Sequence, residues 1–244
     1  MKGILIIFLL LGHTKLKVNQ IGKEGIDTME VFIPKYKYNK IKRYLHELNS
    51  TFRTCIDKRV IESHRNYLNE KILGLFTNLS QEEEALLDIR KIDDPIYIDK
   101  YLEGVEKYVY GMKIPTSTQI NKLFKKEKKL KVPDFHEQNL KHVYLGWFDE
   151  SIRKLFIVYN MDDKLLGIAC RVQNHNSNET NMCTLCNYVG TEDEVGFVSP
   201  VCKTSQDEYK SIGFHACLDS ERCNERITST EKLEKLLKNV NNIK

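Results

Sequence analysis

Apolar residues fall at two different spacings along the chain, and the change comes near Pro133. Between Tyr38 and Gly111 the spacing is helical. Ile41, Tyr44, Leu45, Leu48 and Phe52 recur at steps of three and four and so share one helix face. Val60, Ile61, Tyr67, Leu68, Ile72 and Leu75 predict a second helix. Ser80-Gln-Glu-Glu83 has the form of a capping box and opens a third through Leu86, Leu87 and Ile89. Asp94-Pro95 opens a fourth, with the aspartate as N-cap and the proline in the first turn. Leu102, Val105 and Val109 are its buried stripe. Short helices with short connections pack as a bundle. Lys113-Ile-Pro115 interrupts the pattern, and Thr116-x-x-Gln119 starts one more helix, predicted to run on until just before Pro133.

Beyond Pro133 the period falls toward two. HVYLGWF, KLFIVYN and KLLGIACRV read as strands, and Asn160-Met-Asp-Asp163 supplies the turn of a hairpin between the last two. VGFVSPV and SIGFHAC are further strands, and TEKLEKLLKNV is a terminal helix. The fold class expected is α+β: an N-terminal helical bundle followed by an antiparallel β/α domain, divided as residues 29–113 and 114–244.

The first residues do not join either pattern. Eight apolar residues, Ile4 to Leu11, follow a single lysine, yet no small-x-small cleavage site follows them, and the run is too short to cross a bilayer. Met29 opens a second, ordinary start, and Lys23-Glu24-Gly25 just before it can be encoded by the purine run that bacterial ribosomes pair with. Residues 1–28 are therefore expected to be a non-native extension.

Composition is that of a globular chain, with 30% charged and 41% hydrophobic residues and a net charge of +4. Charge changes the picture in one place: Lys113 to Lys131 holds seven lysines and one glutamate. Such a stripe solvates an exposed helix or docks on an acidic protein or RNA. No glycine-rich phosphate loop is present, and no nucleophile has local support. His46 and His64 fall in the helical half as ordinary surface or core histidines. No catalytic residue is expected.

Cysteines carry the chemistry. Cys183-Thr-Leu-Cys186 is followed, after 30 intervening residues, by Cys217 and Cys223, which have five residues between them. Two intervening residues let one tight knuckle offer both sulfurs to a metal, and four thiolates complete tetrahedral zinc. A strand ending at Cys217 and a helix turn carrying Cys223 would make the site treble-clef-like. Asn187 and Gly190 suit a turn after the knuckle. The competing readings are a redox CxxC, a disulfide framework and unrelated core thiols. The first needs a helix after the motif, which NYVGTEDEVG is not, and the second needs export. One structural zinc ion is expected, with His215 and Cys202 as reserve ligands and Cys55 and Cys170 as core thiols. A closed four-cysteine site leaves no position for a reacting water and places the protein in the reducing cytoplasm.

PTSTQINKLFKKEKKLKVPDF, LGWFDESIRKLFIVYNMDDKLLGI and CTLCN followed by C-x-D-S-x-x-C-N resemble the FusB/FusC-type elongation factor G-binding proteins, which confer resistance to fusidic acid. The resemblance spans about Tyr38 to Asn241 and includes Asp219, Ser220 and Asn224. It implies a two-domain binding protein that grips elongation factor G through its zinc domain. It further implies release of that factor from drug-stalled ribosomes, with no membrane and no small-molecule substrate. Transferred to this chain, the implied contacts are Met182, Ile212, His215 and Leu236. The first stands where the family has an aromatic, the next two where it has a lysine and a tyrosine, the last where it has a phenylalanine. Two other readings remain: a zinc module that binds RNA or the ribosome through the basic helix Lys122–Lys131, with Lys125, Lys126, Lys128 and Lys129 on phosphates, and a thiol redox protein.

Overall fold

The computed structural model describes residues 29–128, 130–135, 141–173, 179–202 and 211–243. The expectation for residues 1–28 lies outside them. The first half holds a two-residue strand β1 (Ile33–Pro34), helices α1 (Lys35–Thr54), α2 (Lys58–Leu73), α3 (Gln81–Leu87) and α4 (Tyr97–Glu106), and strand β2 (Val109–Tyr110), which pairs in parallel with β1. The helical stripes bury in part: Val60 and Tyr67 of α2 stay 51% and 55% exposed, and Val109, expected on the fourth helix, lies in β2 beyond its end. Ile41, Leu45, Leu48, Leu68, Ile72, Leu87 and Val105 form one core. Local chemistry sets the helix starts. Asp57 accepts from the Arg59 amide at the head of α2, and Ser80 and Glu83 complete a reciprocal capping box on α3. Asp94 Oδ1 accepts from the Ile96 amide, so it caps a turn, and α4 itself begins at Tyr97.

Helix α5 (Ser117–Leu123) follows, opened by the Thr116–Gln119 capping box. It is seven residues long, so the basic helix expected across Lys122–Lys131 is not formed. The reason is Phe124. Its backbone leaves the helical region and its ring turns inward, edge-on to Phe156 and Trp147 at 5.1 and 6.0 Å between centroids. An aromatic anchored in the core outweighs the mild helical preference of the lysines after it.

The second half is built on a five-stranded antiparallel sheet in the order β3 (Leu145–Asp149), β4 (Lys154–Met161), β5 (Lys164–Val172), β8 (Val195–Pro200), β9 (Phe214–Cys217). Met161 pairs with Lys164 across a two-residue turn in which Asp162 and Asp163 have φ of 48° and 60°. Both central residues are thus left-handed, as a tight hairpin with right-twisted strands requires. Alternation along β4 feeds two cores. Phe156 and Val158 pack under α5 with Trp147, while Leu155 and Ile157 face the opposite side, where helices α6 (Ser220–Arg226) and α7 (Glu231–Asn241) lie. A small hairpin, β6 (Thr180–Met182) and β7 (Val189–Thr191), stands beside that second core.

Two contacts seat the halves on each other. The Met112 amide donates to the His142 carbonyl at 2.7 Å, and a Cβ at Gly111 would lie 2.6 Å from the His142 nitrogen, so only glycine permits this approach. Asn39, buried on α1, donates from Nδ2 to the carbonyls of Asn224 and Ile227 at 2.7 and 2.9 Å. Those carbonyls belong to the C-terminal end of α6, where intrahelical partners run out. No helix among the described residues is long and apolar enough to cross a membrane.

Candidate metal centre

Three elements carry the four cysteines to one point. The knuckle between β6 and β7 closes on itself: the Cys183 amide donates to the Tyr188 carbonyl at 2.8 Å and the Asn187 amide to the Cys183 carbonyl at 2.9 Å. Asn187 sits at φ 61°, a conformation asparagine accepts more readily than most residues. Its side chain is held by Lys232 Nζ of α7 at 2.8 Å. The knuckle is tied to the sheet by the Thr184 amide, which donates to the His215 carbonyl of β9. Cys217 ends β9. Asp219 then caps α6 by accepting from the Arg222 amide, which turns Cys223 back toward the knuckle.

The four sulfurs lie within 4.8 Å of one another, with Cys183 to Cys223 at 4.0 Å and Cys186 to Cys217 at 3.6 Å. Zinc–sulfur bonds of about 2.3 Å in a tetrahedron put sulfurs about 3.8 Å apart, so the cage is of the size that zinc takes. Electrostatics demand a cation as well. Hydrogen bonds from Cys186, Cys217 and Cys223 hold the Cys183 thiol far below its ordinary value, while the contact with Cys183 pushes Cys217 and Cys223 up. Thiols this close oppose one another's ionisation, and a divalent ion among them lets all four ionise. The residues present fit one structural zinc ion, held by Cys183, Cys186, Cys217 and Cys223. Its ligand shell is closed, and what it supplies is folding energy.

The reserve ligands stand apart from the cluster. His215 packs its ring against Phe197 at 5.2 Å, and Cys202 is a half-buried free thiol. Cys170 is a core thiol, pushed up to about 12 by burial. Cys55 is not one: it lies half-buried at the C-terminal cap of α1. His46 is exposed, and His64 Nδ1 shares a hydrogen bond with Thr51 Oγ1.

Around the zinc cage the expected contact residues divide. Met182 is 56% exposed and stands directly opposite Val189, itself 57% exposed, across the β6–β7 pair. Sequence alone did not single out Val189; its signal was the register of a short hairpin flanking CxxC. Ile212 and His215 are half-buried near the start of β9. Leu236 is only 8% exposed within the α7 core, so it offers a partner no more than an edge. Lys125, Lys126 and Lys128 are exposed in the turns after α5, on the sheet face away from the zinc, and Lys129 lies outside the described residues. Beside the knuckle, Arg226 stacks on Tyr188 at 3.7 Å and the Tyr188 hydroxyl donates to Glu194.

Comparison with known proteins meets this geometry from outside. Residues 32–113 match the family described as elongation factor G-binding protein, N-terminal, and residues 117–242 match the FBP C-terminal treble-clef zinc-finger. A solved structure of the fusidic acid resistance protein FusC superposes with a TM-score of 0.71 at 26% identity, covering 88% of this chain and 100% of that one. No curated protein matches the chain. With both halves matched in order and the four-cysteine cage in place, the chain belongs to the FusB/FusC-type family of elongation factor G-binding proteins, whose C-terminal half is a treble-clef zinc finger.

Proposed function

We propose that this protein binds elongation factor G through the zinc-bearing half and promotes the factor's release from ribosomes stalled by fusidic acid, in the cytoplasm. The observation that carries the reading is the zinc knuckle. It projects an exposed apolar pair, Met182 and Val189, from a hairpin braced at Thr184 and Asn187. A loop fixed before binding loses little entropy on docking, and an apolar pair at the centre of an interface contributes strongly to affinity. His215, whose carbonyl holds the Thr184 amide of the knuckle, and the half-buried Ile212 would add to that contact. Binding energy would drive release if the factor conformation held by this protein does not fit the ribosome, since a ligand shifts an equilibrium by its differential affinity. No bond is made or broken in this scheme.

Calorimetric titration of the zinc-loaded chain into its host's elongation factor G tests the reading. One-to-one binding is expected, weakened about tenfold or more by Met182→Asp, with zinc content and melting temperature unchanged. Absence of binding by a folded, zinc-loaded sample would overturn it.

A further inference from the structure

Helices α1 and α2 together carry ten lysines and arginines against three glutamates, while the whole chain has a net charge of only +4. Part of that charge is laid out along their outer seam, next to aromatic rings. Lys40 Nζ stands over the Tyr44 ring, 5.1 Å from its centroid, and Lys71 Nζ stands over the Tyr67 ring at 5.2 Å. The two pairs adjoin across the seam, since the Tyr44 hydroxyl feels the charges of Lys71 and Tyr67. The His64 ring lies near-parallel to Tyr67 at 6.3 Å, and its Nδ1 shares a 2.8 Å hydrogen bond with Thr51 Oγ1 of α1. An open groove of about 650 Å³ continues from Tyr67 over Val60 and Ser63 to Arg59.

The acidic groups of the two helices do not neutralise this row. Glu47 borders the seam and is paired with Arg43 at 3.8 Å. Asp57, just before α2, accepts from the Arg59 amide as the N-cap. Glu70 acts on Arg90, and Glu62, two positions from Val60, lies on the opposite side of α2. Lys40, Arg59 and Lys71 form no ion pair among the described residues. Val60 and Tyr67 are more than half exposed, although their spacing matches a buried stripe. Cations without partners thus alternate with rings open to solvent.

We infer that this seam binds single-stranded RNA. Phosphates lie against Lys40, Arg59 and Lys71, and bases stack on Tyr67, His64 and the open part of Tyr44. Rings interleaved with cations hold single strands without sequence preference, because every base has a face to stack. An acidic protein surface would answer the charge and leave the rings without a counterpart. The seam shares no residue with the surface assigned to elongation factor G, so it stands or falls separately.

The test is fluorescence anisotropy of a short labelled oligouridylate with the zinc-loaded full chain. Binding is expected at low salt, weakening about tenfold or more between about 50 and 200 mM. Tyr67→Ala should weaken it about fivefold or more and keep the salt dependence. Lys71→Glu should weaken it and flatten the salt dependence. Both side chains are exposed, so the melting temperature should hold in each variant. Lys100→Glu, the same charge change at an exposed position of α4, should leave binding nearly intact. Absence of binding at low salt overturns the inference, as does binding that Tyr67→Ala leaves unchanged or that Lys100→Glu weakens as much as Lys71→Glu. Displacement by poly-glutamate as readily as by unlabelled oligouridylate also overturns it, and assigns the seam to an acidic protein.

Discussion

Asn224 uses every polar atom of its side chain and its carbonyl. Oδ1 accepts from the amides of Val143 and Tyr144, Nδ2 donates to the carbonyls of Tyr144 and Ser220, and its own carbonyl accepts from Asn39. One residue next to the zinc ligand Cys223 thus fixes the entry to β3, and Asn39 fixes the end of the helix that carries both. Asn39→Ala would leave two buried carbonyls short of a donor. The expected cost is about 2 kcal/mol, read as a lower melting temperature with zinc content unchanged. An unaltered melt would show that water replaces the amide. Cys183 and Cys186 were legible from sequence because one tight turn contains both. Asn39 was not, because its partner lies 185 residues away and nothing local distinguishes a buried asparagine from a solvated one.

Capping boxes and turns act over a few residues, and α3, α5 and the β4–β5 hairpin start where the sequence put them, whereas α4 starts at Tyr97, past Asp94-Pro95. Ser80 and Glu83 exchange hydrogen bonds at the start of α3, with the Ser80 amide donating to Glu83 at 2.8 Å. Ser80→Ala should destabilise the helical half by about 1 kcal/mol, measured by chemical denaturation. No change would mean that packing of Leu87 alone holds this short helix. The β4–β5 hairpin was legible through the paired aspartates for the same reason. Helix α5 was not bounded correctly. Its lysines propose a longer helix, and Phe124 ends it by a contact with Trp147 and Phe156, whose strands come later in the chain.

Among the described residues there are three core regions and one cage. The bundle has its own core around Ile41 and Leu68, whereas the cage sits within the core that α7 and the sheet share. Zinc removal is therefore expected to act unevenly. A strong chelator should abolish the tertiary signal of the second half and retain most of the helical signal of the first. Cys217→Ser should do the same, since the metal's binding energy is folding energy. Acid works in the same direction. Ligating thiolates must take up protons to release the ion, so the metal's contribution is present at neutral pH and lost as pH falls. Full retention of fold after chelation would show that the hydrophobic core suffices. By itself the sequence determined the two periods, the capping-box helix starts, the hairpin turn and the two cysteine pairs, because each depends on residues near one another in the chain. Only the tertiary structure decided that Met182 and Val189 share an exposed face, that Leu236 does not, and that α5 stops early. It alone placed Asn39 on α6 and set Tyr44 beside Tyr67. These follow from which distant surfaces meet, and packing decides that after local preferences have been spent.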